Sequence, residues 1–332
     1  MLNKIIITGG LGFIGSHIVV ELIDAGFEVL IIDDLSNSDP EVLLSINKIT
    51  GKNPVLDQFN ILDYDKLKLA FQNFKPTGVI HLAALKSVNE SINNPLDYYE
   101  TNVSGSINVL KAMDSVGCTK IMFSSSAAVY GEPKYLPIDE EHDKKPATPY
   151  GNSKLLFEEI LHDWTISNPK RHAISLRYFN PLGAHSSYLL RENTKTIPTN
   201  IMPLIIQVAN NKKKYLEIYG NDYDTIDGTA VRDFIHVTDL AKAHVSAMKL
   251  HNKNRFITMN LGTGEGYTVS QLVNCFQRVN GVVIKHKFVS PRVGDASEVW
   301  ADVSKASKIL GWNSNKSLED MCRDAWLCCN KL

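Results

Sequence analysis

No apolar run in this chain of 332 residues is long enough to cross a bilayer, and no small-residue cleavage site follows its first residues, so neither a membrane span nor an exported precursor is expected. Charge of one sign is missing as well. The 35 Lys and Arg are interspersed with 36 Asp and Glu and leave a net charge of −1, which argues against a nucleic-acid partner or a basic membrane surface and leaves small acidic ligands open. Cysteine is sparse: Cys118, Cys275, Cys322, Cys328 and Cys329 have no metal-ligand spacing and are odd in number. Reduced thiols, no metal and a cytoplasmic location are therefore expected. Repeats, low-complexity tracts and linkers are also absent. The 44% apolar content suffices for one large core with an appended lobe, or for two cores sharing an interface.

Short apolar runs alternate with amphipathic stretches from residue 2 to about 180. The runs Leu2 to Thr8, Glu28 to Asp33, Val55 to Phe59, Gly78 to Leu82, Lys120 to Ser125 and Ala173 to Tyr178 read as strands, and Asp63 to Phe71 and Leu96 to Val116 as helices. The pattern predicts an α/β fold, a doubly wound parallel sheet of Rossmann-like type. After Asn180 the rhythm changes to a polar stretch, His185 to Thr199, a helix over Met202 to Asn210 and short β runs near Tyr215 to Tyr219. This is expected to be a smaller mixed α/β lobe. Val237 to Leu250 and Met259 to Leu261 read as a helix and a strand that return to the large sheet.

Between the first strand and the next helix lies Thr8-Gly9-Gly10-Leu11-Gly12-Phe13-Ile14-Gly15. Glycine there lets backbone approach a pyrophosphate, and the helix N-terminus offers free N–H groups and the positive end of a dipole. Asp33 closes the second strand, where a carboxylate can accept both adenosine ribose hydroxyls and would repel a 2′-phosphate, so NAD is favoured over NADP. Further on, Tyr150 and Lys154 are four apart. On a helix they share a face, so the ammonium can favour the phenolate and make Tyr150 a base. The fifth strand ends in Ser124-Ser125-Ser126, with Ser124 and Ser126 on one face and Ser126 able to share the proton that Tyr150 handles.

The glycine turn, His81-Leu82-Ala83-Ala84, Ser124 to Gly131, Tyr150 with Lys154, and Arg177-Tyr178-Phe179-Asn180-Pro181 together resemble the extended short-chain dehydrogenase/reductases. Among these the chain is most similar to the enzymes that epimerise UDP-hexoses at C4. The resemblance runs nearly end to end, through Gly220-Asn221-Asp222-Tyr223, Val231 to His236 and Gly294-Asp295. It implies an enzyme that holds NAD through its cycle. Tyr150 would remove the C4 hydroxyl proton, the C4 hydride would be lent to NAD, and the 4-keto sugar would turn about its link to the diphosphate before the hydride returns to the opposite face. Tyr150, Lys154 and Ser126 are then catalytic. The NAD site takes in Gly9, Gly12, Phe13, Ile14, Gly15, Asp33, Asp34, Asn37, Asn60, Ile61, Leu82, Ala83, Ala84, Lys86, Asn102, Ser124, Tyr150, Lys154 and Tyr178. The UDP-sugar falls to Lys86, Ser126, Tyr150, Asn180, Asn200, Tyr219, Arg232, Arg292, Asp295 and Val299, with Arg forks for the diphosphate. Residues 1–180, with 237–262 returning to them, form the NAD-binding domain, and 181–332 mainly the UDP-sugar lobe. A homodimer paired through Leu96 to Val116 and Gly151 to Trp164 is also implied.

Three positions depart from the family pattern. Asn60 stands where an acidic residue usually meets adenine, and it retains an amide acceptor. Thr199 replaces the first of two asparagines. Val299 stands where a bulky tyrosine is common, and the smaller side chain leaves room for an N-acetyl group at the sugar C2, unless a neighbour refills the space. The competing readings are a sugar-nucleotide 4,6-dehydratase, which needs an extra acid and base where this chain has Ala127-Ala128, and a catalytically silent nucleotide-binding regulator.

Overall fold

The computed structural model describes residues 3–193, 195, 198–250, 254–292 and 295–330. Leu2, assigned above to the first strand, and Gly294, of the Gly294-Asp295 motif, lie outside them.

The first strand is almost wholly hydrophobic because it is covered on both sides. In β1 (Lys4–Thr8) Ile5 and Ile7 enter one core with the helix Phe13–Asp24, while Ile6 enters another with Phe71, Val109 and Phe157. The same double burial sustains β2 (Glu28–Ile32), β4 (Gly78–His81), β5 (Lys120–Ser126) and β6 (His172–Tyr178), whereas the short edge strand β3 (Val55–Asp57) is only partly covered. Beyond them come β7 (Asn180–Leu182), β8 (Leu216–Tyr219), β9 (Val231–Arg232), β10 (Phe234–His236) and β11 (Phe256–Leu261). The main sheet runs β11-β6-β5-β4-β1-β2-β3, every pair parallel. The strand order reverses between β1 and β4, where connections leave to opposite faces and a crevice opens beyond the strands' carboxyl ends.

Residues after 236 rejoin this sheet. The helix Val237–Lys249 shares the core of helix Phe13–Asp24, and β11 pairs with β6 from Phe256↔Ala173 to Leu261↔Tyr178. The rest of the C-terminal half builds its own core from Leu182, Met202, Ile205, Ile218, Phe234, Phe276 and Cys322. Around it β7 pairs with β10, and β9 lies between β12 (Tyr267–Thr268) and β14 (Glu298–Val299); β13 (His286–Val289) pairs with β8. Among the described residues no helix is long and apolar enough to cross a membrane.

The strand expected over Met259 to Leu261 begins earlier, at Phe256, and the helix expected over Asp63 to Phe71 runs over Tyr64–Phe74 with Asp63 as its cap; two other elements are cut short or broken. The strand expected over Val55 to Phe59 stops at Asp57, and Asn60 turns the chain by accepting the Leu62 N–H. The helix expected to run unbroken from Leu96 to Val116 is α-helical over Pro95–Tyr99, a π-helix over Glu100–Gly105 and α-helical again over Ser106–Val116. Side-chain bonds account for the irregularity: Asn102 bonds both backbone groups of Leu85, and the Ser106 hydroxyl donates to the Asn102 carbonyl. Wide turns of this kind concentrate at functional sites.

Candidate active site

Glycine is forced by crowding in the turn after β1. Gly9 has φ +70°, and a Cβ there would lie 2.8 Å from the Ala83 nitrogen; a Cβ on Gly15 would lie 2.2 Å from the Gly9 carbonyl oxygen. Gly12 caps the helix Phe13–Asp24 without any side-chain bond, so the first-turn N–H groups remain open to an anion. Asp33 holds this turn in place. One carboxylate oxygen accepts the Leu11 N–H (3.0 Å), and the other accepts the Leu35 N–H (3.0 Å) and the Ser38 hydroxyl (2.7 Å). Asp34 accepts from Ser36 and, at 2.7 Å, from the Asn60 amide.

A cavity of about 510 Å³ runs from this turn across the carboxyl edge of the sheet. It brings together Gly9, Gly12, Phe13, Ile14 and Gly15 with Asp33, Asp34 and Asn37, then Asn60 and Ile61, then Leu82, Ala83, Ala84 and Lys86. Its far wall carries Ser124, Ser126, Tyr150, Lys154, Tyr178, Asn180 and Asn200. Asn102, assigned above to the cofactor site, is not on the wall. It stands behind it, holding Leu85 and donating to Ser153. Tyr219, Arg232, Arg292, Asp295 and Val299 also lie outside this cavity.

Tyr150 and Lys154 sit in the first turns of the helix Pro149–Ile166, which starts where Thr148 accepts the Gly151 N–H and Pro149 presets the first φ. The Lys154 ammonium donates to the Ser124 carbonyl at 2.8 Å and lies 5.8 Å from the centre of the Tyr150 ring. Burial draws Lys154 down to about 7, against the pull of Glu158. Burial also pushes Tyr150 above the ordinary phenol range, with the Ser126 hydroxyl acting the other way. The expectation that Lys154 lowers Tyr150 is therefore not met in the bare protein, because the cost of burying a phenolate exceeds the help of its neighbours. Ser126 itself accepts the Ala128 N–H at 3.2 Å.

Behind this wall lies a buried network that the sequence reading missed. Arg177 grips Glu158 with two nitrogens, at 3.0 and 2.7 Å, and also donates to Tyr130; Ser175 donates to Glu158. Burial acts to raise the Glu158 carboxyl, and Arg177 overrides it, leaving a net lowering. The signal was present in the sequence: Glu158 continues the Tyr150, Lys154 spacing by one more turn, and Arg177 is a lone cation in an apolar strand. Tyr178 donates to His244, whose other ring nitrogen bonds the Leu240 carbonyl. That bond leaves the imidazole neutral with an acceptor facing Tyr178, in keeping with burial drawing His244 down to about 4.

A second group forms from the end of β8, from β9 and β14, and from the loop after β13. The Arg292 guanidinium stacks 4.0 Å from the Tyr219 ring centre, and Arg232 donates to the Val231 and Ser297 carbonyls. Burial lowers Arg232 and Asp295 opposes it. The Arg292 Nε and the Tyr223 hydroxyl are buried with no partner among the described residues. Val299 pairs with Arg232 through the backbone and packs against the apolar cluster of Val129, Tyr130, Ile138 and Phe179. Glu192 receives both Lys86 and Asn200. Among the described residues no cluster of His, Cys, Asp and Glu has a metal-holding arrangement.

The family model described as GDP-mannose 4,6 dehydratase matches residues 6–325. A UDP-glucose 4-epimerase of Dictyostelium discoideum is 46% identical over 98% of this chain and 95% of its own length. The crystal structure of UDP-glucose 4-epimerase from Bifidobacterium longum in complex with NAD+ and UDP superposes with a TM-score of 0.96 at 41% identity, covering 99% of both chains. The UDP-Glc/GlcNAc 4-epimerase of Campylobacter jejuni superposes with a TM-score of 0.84 at 32% identity, covering 99% of this chain and 100% of the other.

Proposed function

The chain belongs to the UDP-glucose 4-epimerases, NAD-dependent enzymes that epimerise UDP-hexoses at C4, and we propose the residues by which it does so. The observation that carries the assignment is that the Tyr150 phenol, the Ser126 hydroxyl and the Lys154 ammonium line the same cavity as the glycine turn. NAD fits this chain, because the crowded glycines leave a cradle that any Cβ would fill and the open helix N-terminus faces it. When bound, NAD supplies a hydride acceptor that returns what it takes. Gly12, Gly15 and the first-turn N–H groups would hold its diphosphate, Asp33 its adenosine ribose, and Lys154 its nicotinamide ribose.

Tyr150 removes the C4 hydroxyl proton of the sugar, and Ser126, beside it, shares that proton. Lys154 supplies positive charge one helical turn away, which favours the phenolate once a cationic ring also lies nearby. Arg232 and Arg292 hold the UDP diphosphate, Tyr219 and Asp295 the nucleoside end, and Asn180 and Asn200 the sugar side. Because the hexose is anchored through its diphosphate, its ring is free to present either face to Tyr150. Residues 1–180 with 237–262 thus form the NAD domain, and the remainder of 181–332 the UDP-sugar lobe. Dehydration is disfavoured by Ala127 and Ala128, which form a short 3₁₀ turn after Ser126 and bear no proton-handling group.

We infer that Val299, paired with Arg232 and packed against the cluster of Val129 and Phe179, gives way to a C2 N-acetyl group where a tyrosine would not, so both UDP-galactose and UDP-N-acetylgalactosamine are substrates; Val299→Tyr should cut turnover of the acetylated sugar selectively. The protein pairs with a second copy through the helices carrying Leu96 and Leu156, both exposed, and works in the cytosol, in keeping with its five free cysteines. The test of the main assignment is turnover of each UDP-sugar by purified protein, with and without added NAD. Wild-type protein should form the C4 epimer, and Tyr150→Phe should lose activity by about 10²- to 10⁴-fold, the usual contribution of a positioned base. No epimer from either sugar, even with NAD, would overturn it.

A further inference from the structure

We propose that Glu192 is a positioning residue that joins the two lobes across the mouth of the cavity and sets Lys86 and Asn200 for the sugar nucleotide. The proposal rests on the epimerase reading and deepens it. Lys86 leaves the large sheet after β4, whereas Asn200 begins the helix Ile201–Ala209 of the small lobe. Both donate to the same oxygen, Glu192 Oε1, at 3.3 and 2.6 Å. The Glu192 side chain is 8% exposed, and a carboxylate so far out of water needs such donors.

The anchoring is asymmetric. Next to Glu192, Arg191 donates to the Cys328 carbonyl at 3.0 Å and bridges to Ala184, which fixes this backbone to the small lobe. The cation that Glu192 receives comes from the large one. The bonds also determine which atoms are left for a ligand. A carboxylate can only accept, so the Asn200 amide must turn its Nδ2 to Glu192, leaving its carbonyl oxygen as an acceptor for a sugar hydroxyl. Lys86, 47% exposed, keeps two further N–H donors at the cavity wall while its position is held.

The test is a double-mutant cycle on the holoenzyme with Glu192→Ala, Lys86→Met and the pair. Two readouts are needed: UDP-galactose binding by calorimetry, and the split of turnover into kcat and KM. Loss of a charge-assisted bond predicts that Glu192→Ala weakens binding and raises KM about tenfold, with kcat within about twofold and the double variant well short of the sum of the singles. Glu192→Gln, which keeps an acceptor for Asn200 but no charge for Lys86, should fall between. Unchanged binding in Glu192→Ala, additive singles, or a fall in kcat at constant KM would each overturn the clasp. Because binding is read separately from product formation, wild-type protein that binds UDP-galactose and does not epimerise it would sink the reaction reading and leave the clasp standing.

Discussion

Burial makes Tyr150 a worse base. In the proposed mechanism the charges that offset this come from outside the residue: Lys154 one turn on, and a cationic ring when the cofactor binds. Lys154 bears a similar cost, and that cost is measurable. In the folded, nucleotide-free protein burial draws its pKa down to about 7, whereas in an unfolded chain a lysine keeps its proton to ~10.4. Between those values the unfolded state binds more protons, so stability should rise with pH across that window. The melting temperature of wild-type protein should climb there relative to Lys154→Met, and parallel profiles would contradict the account. The spacing of Tyr150 and Lys154 was legible because a helix converts four positions into one face. The Glu158–Arg177 pair was less so, since its meaning depends on β6 lying beside this helix. Removing one partner of so buried a pair should cost about 3–5 kcal/mol, so Glu158→Ala is expected to show a correspondingly lower urea midpoint.

The glycine turn shows how an element can be read from residue types alone. No side chain could replace the hydrogen at Gly15 without displacing the Gly9 carbonyl, so the cradle and its sequence are one constraint. Gly15→Ala should therefore abolish NAD retention, by more than tenfold in calorimetric Kd, while secondary structure by circular dichroism stays close to wild type. Retention of NAD by that variant would remove the turn from the site. The strands were legible for a similar reason: burial on both faces demands continuous apolar runs. The π-helix Glu100–Gly105 was not. Nothing in the periodicity of Leu96 to Val116 marks it, because it arises from Asn102 reaching a loop seventeen positions earlier.

At the scale of the molecule, the proton-handling groups share the cavity wall, whereas Arg232 and Arg292 lie outside that cavity; in the proposed reading a diphosphate-linked sugar spans the two. This arrangement was only partly legible. Arg232, Arg292 and Asp295 were assigned to the substrate by resemblance, and the structure places them outside the cavity, with buried atoms at Arg292 and Tyr223 that have no partner among the described residues. Glu192 went unread, because a lone acidic residue in a polar stretch gains meaning only when both lobes are in place. The proposed pairing makes its own prediction. Leu96 is 79% exposed, and Leu96→Glu together with Leu156→Glu should shift the protein from dimer to monomer in light scattering, whereas an unchanged mass would rule out that face.

The most direct test of the whole account follows the hydrogen at C4. UDP-galactose deuterated at C4 is incubated with the holoenzyme in ordinary water, and the product is examined by NMR. The account predicts UDP-glucose that still carries deuterium at C4, because the hydride is lent and returned within one site while only the hydroxyl proton passes through Tyr150. A product with hydrogen from water at C4 would contradict it.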